Sequence, residues 1–324
     1  MPDLTYASAI GEALVEEMER DETIIAYGED FTLGYVWPVS RGLLDRFGPM
    51  RVRDVPICEG LQIGMAVGAG MTGLTPVVEM QYSDFVMLGM DGIVNQAAKL
   101  TYMSGAQVGV RMVVRLPYGH LRNYGAQHSQ SLYGMFAGIP GLTVCAPATP
   151  ADAKGLTKTA LRANRPVLMF EHKSLYGLKG PVGGSEKLVP FGRAKVYGEA
   201  RDGVVVAIGW MLGEALAAQK ALASEGIRVA VIDPRTLVPL DLDTIVSAVR
   251  PSGRLVIADE APLTGGFTGW VSSRVQELAF DHLNAPITRV GNPDVPVPYS
   301  WGLEPSVIPG REDIEAAVRH VVAY

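Results

Sequence analysis

Two cysteines in 324 residues, Cys58 and Cys145, are too few for a disulfide framework and form no C-x-x-C pair for zinc or redox work. Histidine is also sparse, with five in the chain and no H-E-x-x-H. There is no G-x-x-x-x-G-K-[ST], so nucleoside triphosphate chemistry has no support, and no G-x-S-x-G elbow presents Ser129 as a nucleophile. Basic residues show no surplus: 28 Lys and Arg stand against 34 Asp and Glu, a formal charge of −6, and they are scattered. Nucleic acid and anionic membrane surfaces are therefore excluded as expected partners. One uncharged run, residues 60–78, is long enough to cross a bilayer. Its five glycines, with Gln62, Thr72, Thr75 and Pro76, make it too polar for lipid and mark a buried soluble segment instead. Two lone thiols and no signal peptide fit a reducing, cytoplasmic setting.

What is present is ordinary globular composition, 48% hydrophobic and 19% charged, over a length that suits two domains. Thr5 can cap a first helix in which Ile10, Ala13, Leu14 and Met18 recur at helical spacing, and a short apolar run at 23–27 follows. Further apolar runs at 75–80, 109–116, 142–146 and 167–171 read as strands of a sheet buried on both faces. Gly, Pro and mixed charge at 178–193 read as a linker, which divides the chain into domains 1–185 and 186–324. Beyond it strands at 204–209, 228–233, 254–259 and 287–290 alternate with helices at 211–225, 242–249 and 267–280. This is α/β architecture with two doubly wound domains. A five-proline arm at 292–309 precedes a last helix at 313–322.

Several motifs admit more than one reading. G-A-G-M-T-G at 68–73 matches the dinucleotide fingerprint by letter, but a strand follows it rather than precedes it. Gly60, Gly64 and Gly68 lie on one face if 61–73 is a helix, which suits close internal packing or a subunit interface. Glu59 stands just before that helix among apolar neighbours, either as a cap or as a desolvated carboxylate poised for proton transfer. His128 sits in a small polar loop, G-A-Q-H-S-Q-S at 125–131, after a strand's carboxyl end, and is a solvated or a catalytic histidine.

Taken in order, G-E-D at 28–30, S-R-G-L at 40–43, D-V-P-I-C-E at 54–59, P-V-V-E at 76–79, Gln81 with Asp84 and Phe85, A-Q-H-S-Q-S at 126–131, P-G-L at 140–142, V-I-D-P-R-T-L at 231–237 and E-A-P-L-T-G-G-F at 260–267 form one series. Over essentially its whole length the chain resembles the β subunit of the thiamine-diphosphate-dependent E1 component of 2-oxo acid dehydrogenase complexes, of the pyruvate and acetoin type. The resemblance implies a pyrimidine-binding domain followed by a transketolase C-terminal-like domain, in an α2β2 heterotetramer that passes an acyl unit to the lipoyl group of E2. Enzymes of this kind hold diphosphate and Mg²⁺ with a Gly-Asp-Gly segment, which is absent here, so the α partner is expected to supply it.

Carried over by motif, Glu59 hydrogen-bonds N1′ of the aminopyrimidine, Phe85 stacks on that ring with Ile57 and Gln81 nearby, and His128 faces substrate and the lipoyl group. A structural K⁺ is implied through backbone carbonyls at Met112, Ala160, Leu161, Ala163 and Arg165, with Ala163 where an acidic residue is usual. Tyr35 and Trp37, together with Tyr118 and residues 120–124, depart from the family's small residues and bear on substrate choice. Two alternatives share both domains: the C-terminal half of a split transketolase, and an inactive paralogue that only binds an α chain.

Overall fold

The computed structural model describes residues 3–34 and 38–324, so Tyr35 and Trp37 lie outside the described residues. The chain forms two compact units, Met1–Tyr118 with Met135–Phe191, and Gly119–Gly134 with Gly192–Tyr324. These differ from a single division at 185/186 in two respects. The boundary falls six residues later, and a loop from the first half joins the second unit. Linker composition marks where a chain leaves a domain, but it carries no sign of where a loop finds its partners.

In the first unit, strands β1 (Ile24–Gly28), β2 (Val52–Asp54), β3 (Thr75–Glu79), β4 (Met112–Tyr118), β5 (Thr143–Cys145) and β6 (Pro166–His172) pair in parallel in the order β5-β6-β4-β3-β1-β2. All seven residues of β4 and of β6 are buried, the mostly apolar stretches together with Arg115, Glu171 and His172, as strands covered on both faces require. Helix α1 (Tyr6–Arg20) starts where Thr5 accepts the Ser8 amide, and it buries the expected Ile10, Ala13, Leu14 and Met18. Helix α2 (Glu59–Met71) follows β2, and α3 (Pro150–Leu161) is started by Thr149 with proline at the first turn.

Charge is also buried here. Arg115 on β4 is fully buried and forks onto Glu171, Nε to Oε1 at 2.8 Å and Nη2 to Oε2 at 2.7 Å, while Nη1 donates to Glu79, its register neighbour on β3. The Tyr176 hydroxyl donates to Glu171 at 2.7 Å. Between α1 and α3, fully buried Glu17 accepts from Arg20, Lys158 and Arg162, and Lys154 reaches Glu12 and Glu16.

In the second unit, β7 (Lys195–Tyr197), β8 (Gly203–Ala207), β9 (Val229–Asp233), β10 (Leu255–Pro262) and β11 (Thr288–Asn292) run in the order β11-β10-β8-β9-β7, parallel except for β7 at the edge. Helices α4 (Met211–Ser224), α5 (Leu242–Ser252), α6 (Phe267–Ala279) and α7 (Arg311–Val322) complete it. Asp241 caps α5 by accepting the Thr244 amide, and Gly253 ends it at φ +66°. Helix α7 begins two residues before the expected start because the Asp313 carboxylate accepts the Gly310 amide at 2.8 Å. Among the described residues, no helix is long and apolar enough to cross a membrane.

Candidate active site

Glu59 is the first residue of α2, with Cys58 at the cap position and no side-chain capping bond. The capping alternative is therefore not the one the structure adopts. The Glu59 side chain is only 6% exposed, and its carboxylate has no hydrogen-bond partner among the described residues. A buried carboxylate in that condition is costly unless a donor meets it, and the free amides of a helix's first turn only partly meet that need. One turn on, Gln62 is buried and donates to Glu29 Oε1 at 3.3 Å and to the Pro56 carbonyl at 3.2 Å, leaving its own Oε1 buried and unpaired. Burial, aided by the Glu59 charge and opposed by the Gln62 hydrogen bond, raises the Glu29 carboxyl above its ordinary value.

Gln81, just past β3, donates to the Glu29 carbonyl at 3.0 Å and to Glu79 Oε1 at 3.2 Å. It therefore ties the surroundings of Glu59 to the Arg115 cluster. Phe85 lies in the 3₁₀ turn Ser83–Gly89, which passes so close to the first turns of α2 that a Cβ at Gly89 would meet Ile63 at 2.6 Å. Ile57 is 77% exposed just before α2. The structure thus brings Glu59, Gln62, Gln81 and Glu29 into one polar group in the first unit, a grouping in which Glu29 and Gln62 were not singled out from sequence. His128 lies half-buried on the loop that belongs to the second unit, 6.4 Å from the Tyr124 ring.

The five carbonyl positions fall where α3 ends and β4 begins. Met112 pairs in register with Pro166, which sets the turn after α3 beside the start of β4. The Ala160 carbonyl accepts the Ala163 amide at 3.1 Å, Leu161 is the last helical residue, and Arg165 is exposed just before β6.

Residues 3–179 match the family Transketolase, pyrimidine binding domain, and residues 192–314 match Transketolase, C-terminal domain. The chain is 41% identical to the pyruvate dehydrogenase E1 component subunit beta of Rickettsia bellii, over 98% of both chains. It belongs to the E1 β-subunit family. The E1 β chain is likewise 40% identical to the acetoin:2,6-dichlorophenolindophenol oxidoreductase subunit beta of Cupriavidus necator, over 98% of itself and 96% of that protein. Its fold matches a solved split gene transketolase, described as an inactive beta4 tetramer, at a TM-score of 0.80 and 24% identity over 99% and 98% of the two chains.

The donor set of this E1 β chain fits an aminopyrimidine. That ring presents both donors and acceptors, and the first unit offers it the Glu59 carboxylate, on a residue only 6% exposed, and the buried, unpaired Gln62 Oε1 one turn on. A diphosphate and its Mg²⁺ find no Gly-Asp-Gly in the sequence.

Proposed function

We propose that this chain is the β half of an E1 active site that cleaves the bond beside the carbonyl of pyruvate or acetoin and acylates the lipoyl group of an E2 acyltransferase. The observation that carries the reading is Glu59, buried, partnerless among the described residues and seated on a helix N-terminus beside the unpaired Gln62 oxygen. When bound, thiamine diphosphate supplies the electron sink for that cleavage. Glu59 would hold and move the proton at N1′, Phe85 would stack on the pyrimidine with Ile57 nearby, and Gln81 is oriented by Glu29 and Glu79. His128 would face substrate and the lipoyl group, stabilising or protonating the reacting unit as it passes between them.

The diphosphate and Mg²⁺ would be held by an α partner in an α2β2 assembly, in the cytoplasm, and the carbonyls of Met112, Ala160, Leu161, Ala163 and Arg165 would hold K⁺. Support for a partner comes from α2. Gly60 packs internally, since a Cβ there would meet the Leu88 carbonyl oxygen at 3.1 Å, but a Cβ at Gly64 or Gly68 would meet nothing within 4 Å, and Leu61 and Met65 beside them are exposed. The glycine face is thus a subunit surface in this reading.

The test is co-expression with the α-like chain and ferricyanide-linked oxidation of pyruvate, acetoin, branched-chain 2-oxo acids and 2-oxoglutarate. Activity on one substrate that disappears in Glu59→Gln is the expected result. Silence on all four, with sugar-phosphate ketol transfer instead, assigns the chain to a split transketolase.

A further inference from the structure

The loop that carries His128, Gly119–Gly134, is tied at both ends to two successive carboxylates at the carboxyl end of β10. At its start, the His120 amide donates to Glu260 Oε1 at 2.9 Å and the His120 ring Nδ1 lies 2.7 Å from Glu260 Oε2. At its end, Ser131 Oγ donates to the same Glu260 Oε1 at 3.1 Å, and the Tyr133 hydroxyl donates to Asp259. The Gly119 amide and the Gln130 carbonyl close the base of the loop at 3.4 Å. Trp210, at the start of α4, meets the His120 ring edge-on with centroids 4.5 Å apart. At the middle, Gly125 sits at φ +71°, where a Cβ would already touch Tyr299 at 3.4 Å.

From this arrangement we infer that Glu260 is a positioning residue for His128. One carboxylate gathers a backbone amide, an imidazole and a hydroxyl from both ends of a loop, converting the ten positions between His120 and Ser131 into a closed span. Glu260 is 3% exposed, and a buried, ionised carboxylate holds such donors more firmly than a neutral acceptor does. The His120 tautomer follows from the contact: a carboxylate accepts only, so Nδ1 carries the hydrogen. Asp259 is the secondary anchor, holding Tyr133 and the Ala261 amide while its Oδ2 remains buried and unpaired. Parallel sheets bind ligands beyond their strands' carboxyl ends, which is where this pair stands. The claim rests on the E1 reading for what His128 does, but the anchoring of the loop stands independently of that reading.

The decisive experiment uses the full chain for hydrogen–deuterium exchange and the reconstituted heterotetramer for kinetics. In Glu260→Ala, amides of 119–134 exchange faster by about tenfold or more while those of β8 and β9 keep their protection. In the heterotetramer kcat falls by about 10- to 100-fold with KM nearly unchanged, as for a misplaced catalytic group. Glu260→Gln, which keeps one acceptor for the amide and hydroxyl, recovers part of both losses, and Ser131→Ala gives a smaller change in the same direction without threatening the fold. Unchanged exchange in 119–134, faster exchange spread over the whole unit, or a loosened loop with unaltered kcat each overturns the inference. Inactivity of the wild-type assembly on every substrate defeats the E1 reading instead, and the exchange result then decides the anchor by itself.

Discussion

Two sets of buried acidic side chains, one in each unit, keep opposite company. In the first, Glu17 is surrounded by Arg20, Lys158 and Arg162, and Glu79 and Glu171 close on Arg115. In the second, Asp259 is held by a phenol and a backbone amide, with no ion pair among the described residues, and Glu260 by an imidazole, a hydroxyl and an amide. The consequences for protonation diverge accordingly. Burial raises Glu17, but hydrogen bonds from Arg162, Arg20 and Lys158 outweigh it and bring the carboxyl down to about 2. Burial of Asp259, assisted by the Glu260 charge and only partly offset by the Tyr133 hydrogen bond, pushes it up to about 7. At Glu17 the cations keep a buried acid ionised as permanent scaffold, at Glu79 burial outweighs Arg115 and leaves the carboxyl raised, and at Asp259 neutral donors leave it able to titrate near neutrality, which is the condition of functional sites.

The comparison breaks most visibly at Arg115. Arg115→Met strands two buried carboxylates, and a loss of about 3–5 kcal/mol is expected in the guanidinium unfolding midpoint. A loss under about 1 kcal/mol would remove the claim that the first unit's acids are scaffold. Next comes Asp259→Asn. A carboxyl raised in the folded state stabilises it below the unfolded value of 3.8, and that contribution is lost as pH rises through about 7. The wild-type chain therefore loses stability across this window, by roughly 2–4 kcal/mol, and a urea midpoint series shows the asparagine variant to be flatter there.

Glu17→Gln has the opposite sign and a smaller size, because Arg20 and Arg162 are partly in water. It costs about 1–2 kcal/mol at pH 7, and the deficit closes as pH falls from 4.5 toward about 2, where the wild-type carboxyl itself takes a proton. Smallest is Gly64→Ala, at an open helix position: the isolated chain gains up to about 1 kcal/mol in thermal stability from helix propensity. In the proposed assembly the same methyl weakens association, which sedimentation of the mixed subunits would read.

Much of the second unit was legible because period and punctuation agree there. The helix expected at 211–225 is Met211–Ser224 and that at 267–280 is Phe267–Ala279, each following a strand that contains an apolar run, Val204–Ala207 and Leu255–Ala258. Short or irregular pieces escaped. The three-residue strands Val52–Asp54 and Lys195–Tyr197 are defined by a neighbour rather than by a pattern of their own. Ser83–Gly89 and Gly92–Ala97 form 3₁₀ and π turns, whose periods match neither the 3.6-residue nor the 2-residue pattern.

Glu59 and His128 were each readable as one of two things from local context, and the family resemblance chose between them. Buried partners such as Gln62, whose helical position is unremarkable, were not readable. Glu260 is legible in the sequence only as part of a motif, since the residue it serves at the loop's start is 140 positions away. Long-range side-chain closure leaves no periodic trace.

The backbone changes unit three times, after Tyr118, Gly134 and Phe191. A gene cut anywhere in the linker would hand the downstream fragment a strand end whose acidic pair has lost its hydroxyl, phenol and imidazole, and would leave the upstream fragment with a dangling hairpin of sixteen residues, 119–134. The halves are thus not exchangeable cassettes. Swapping a second unit between relatives succeeds only when the 119–134 insert travels with it, so the heritable module is a discontinuous one.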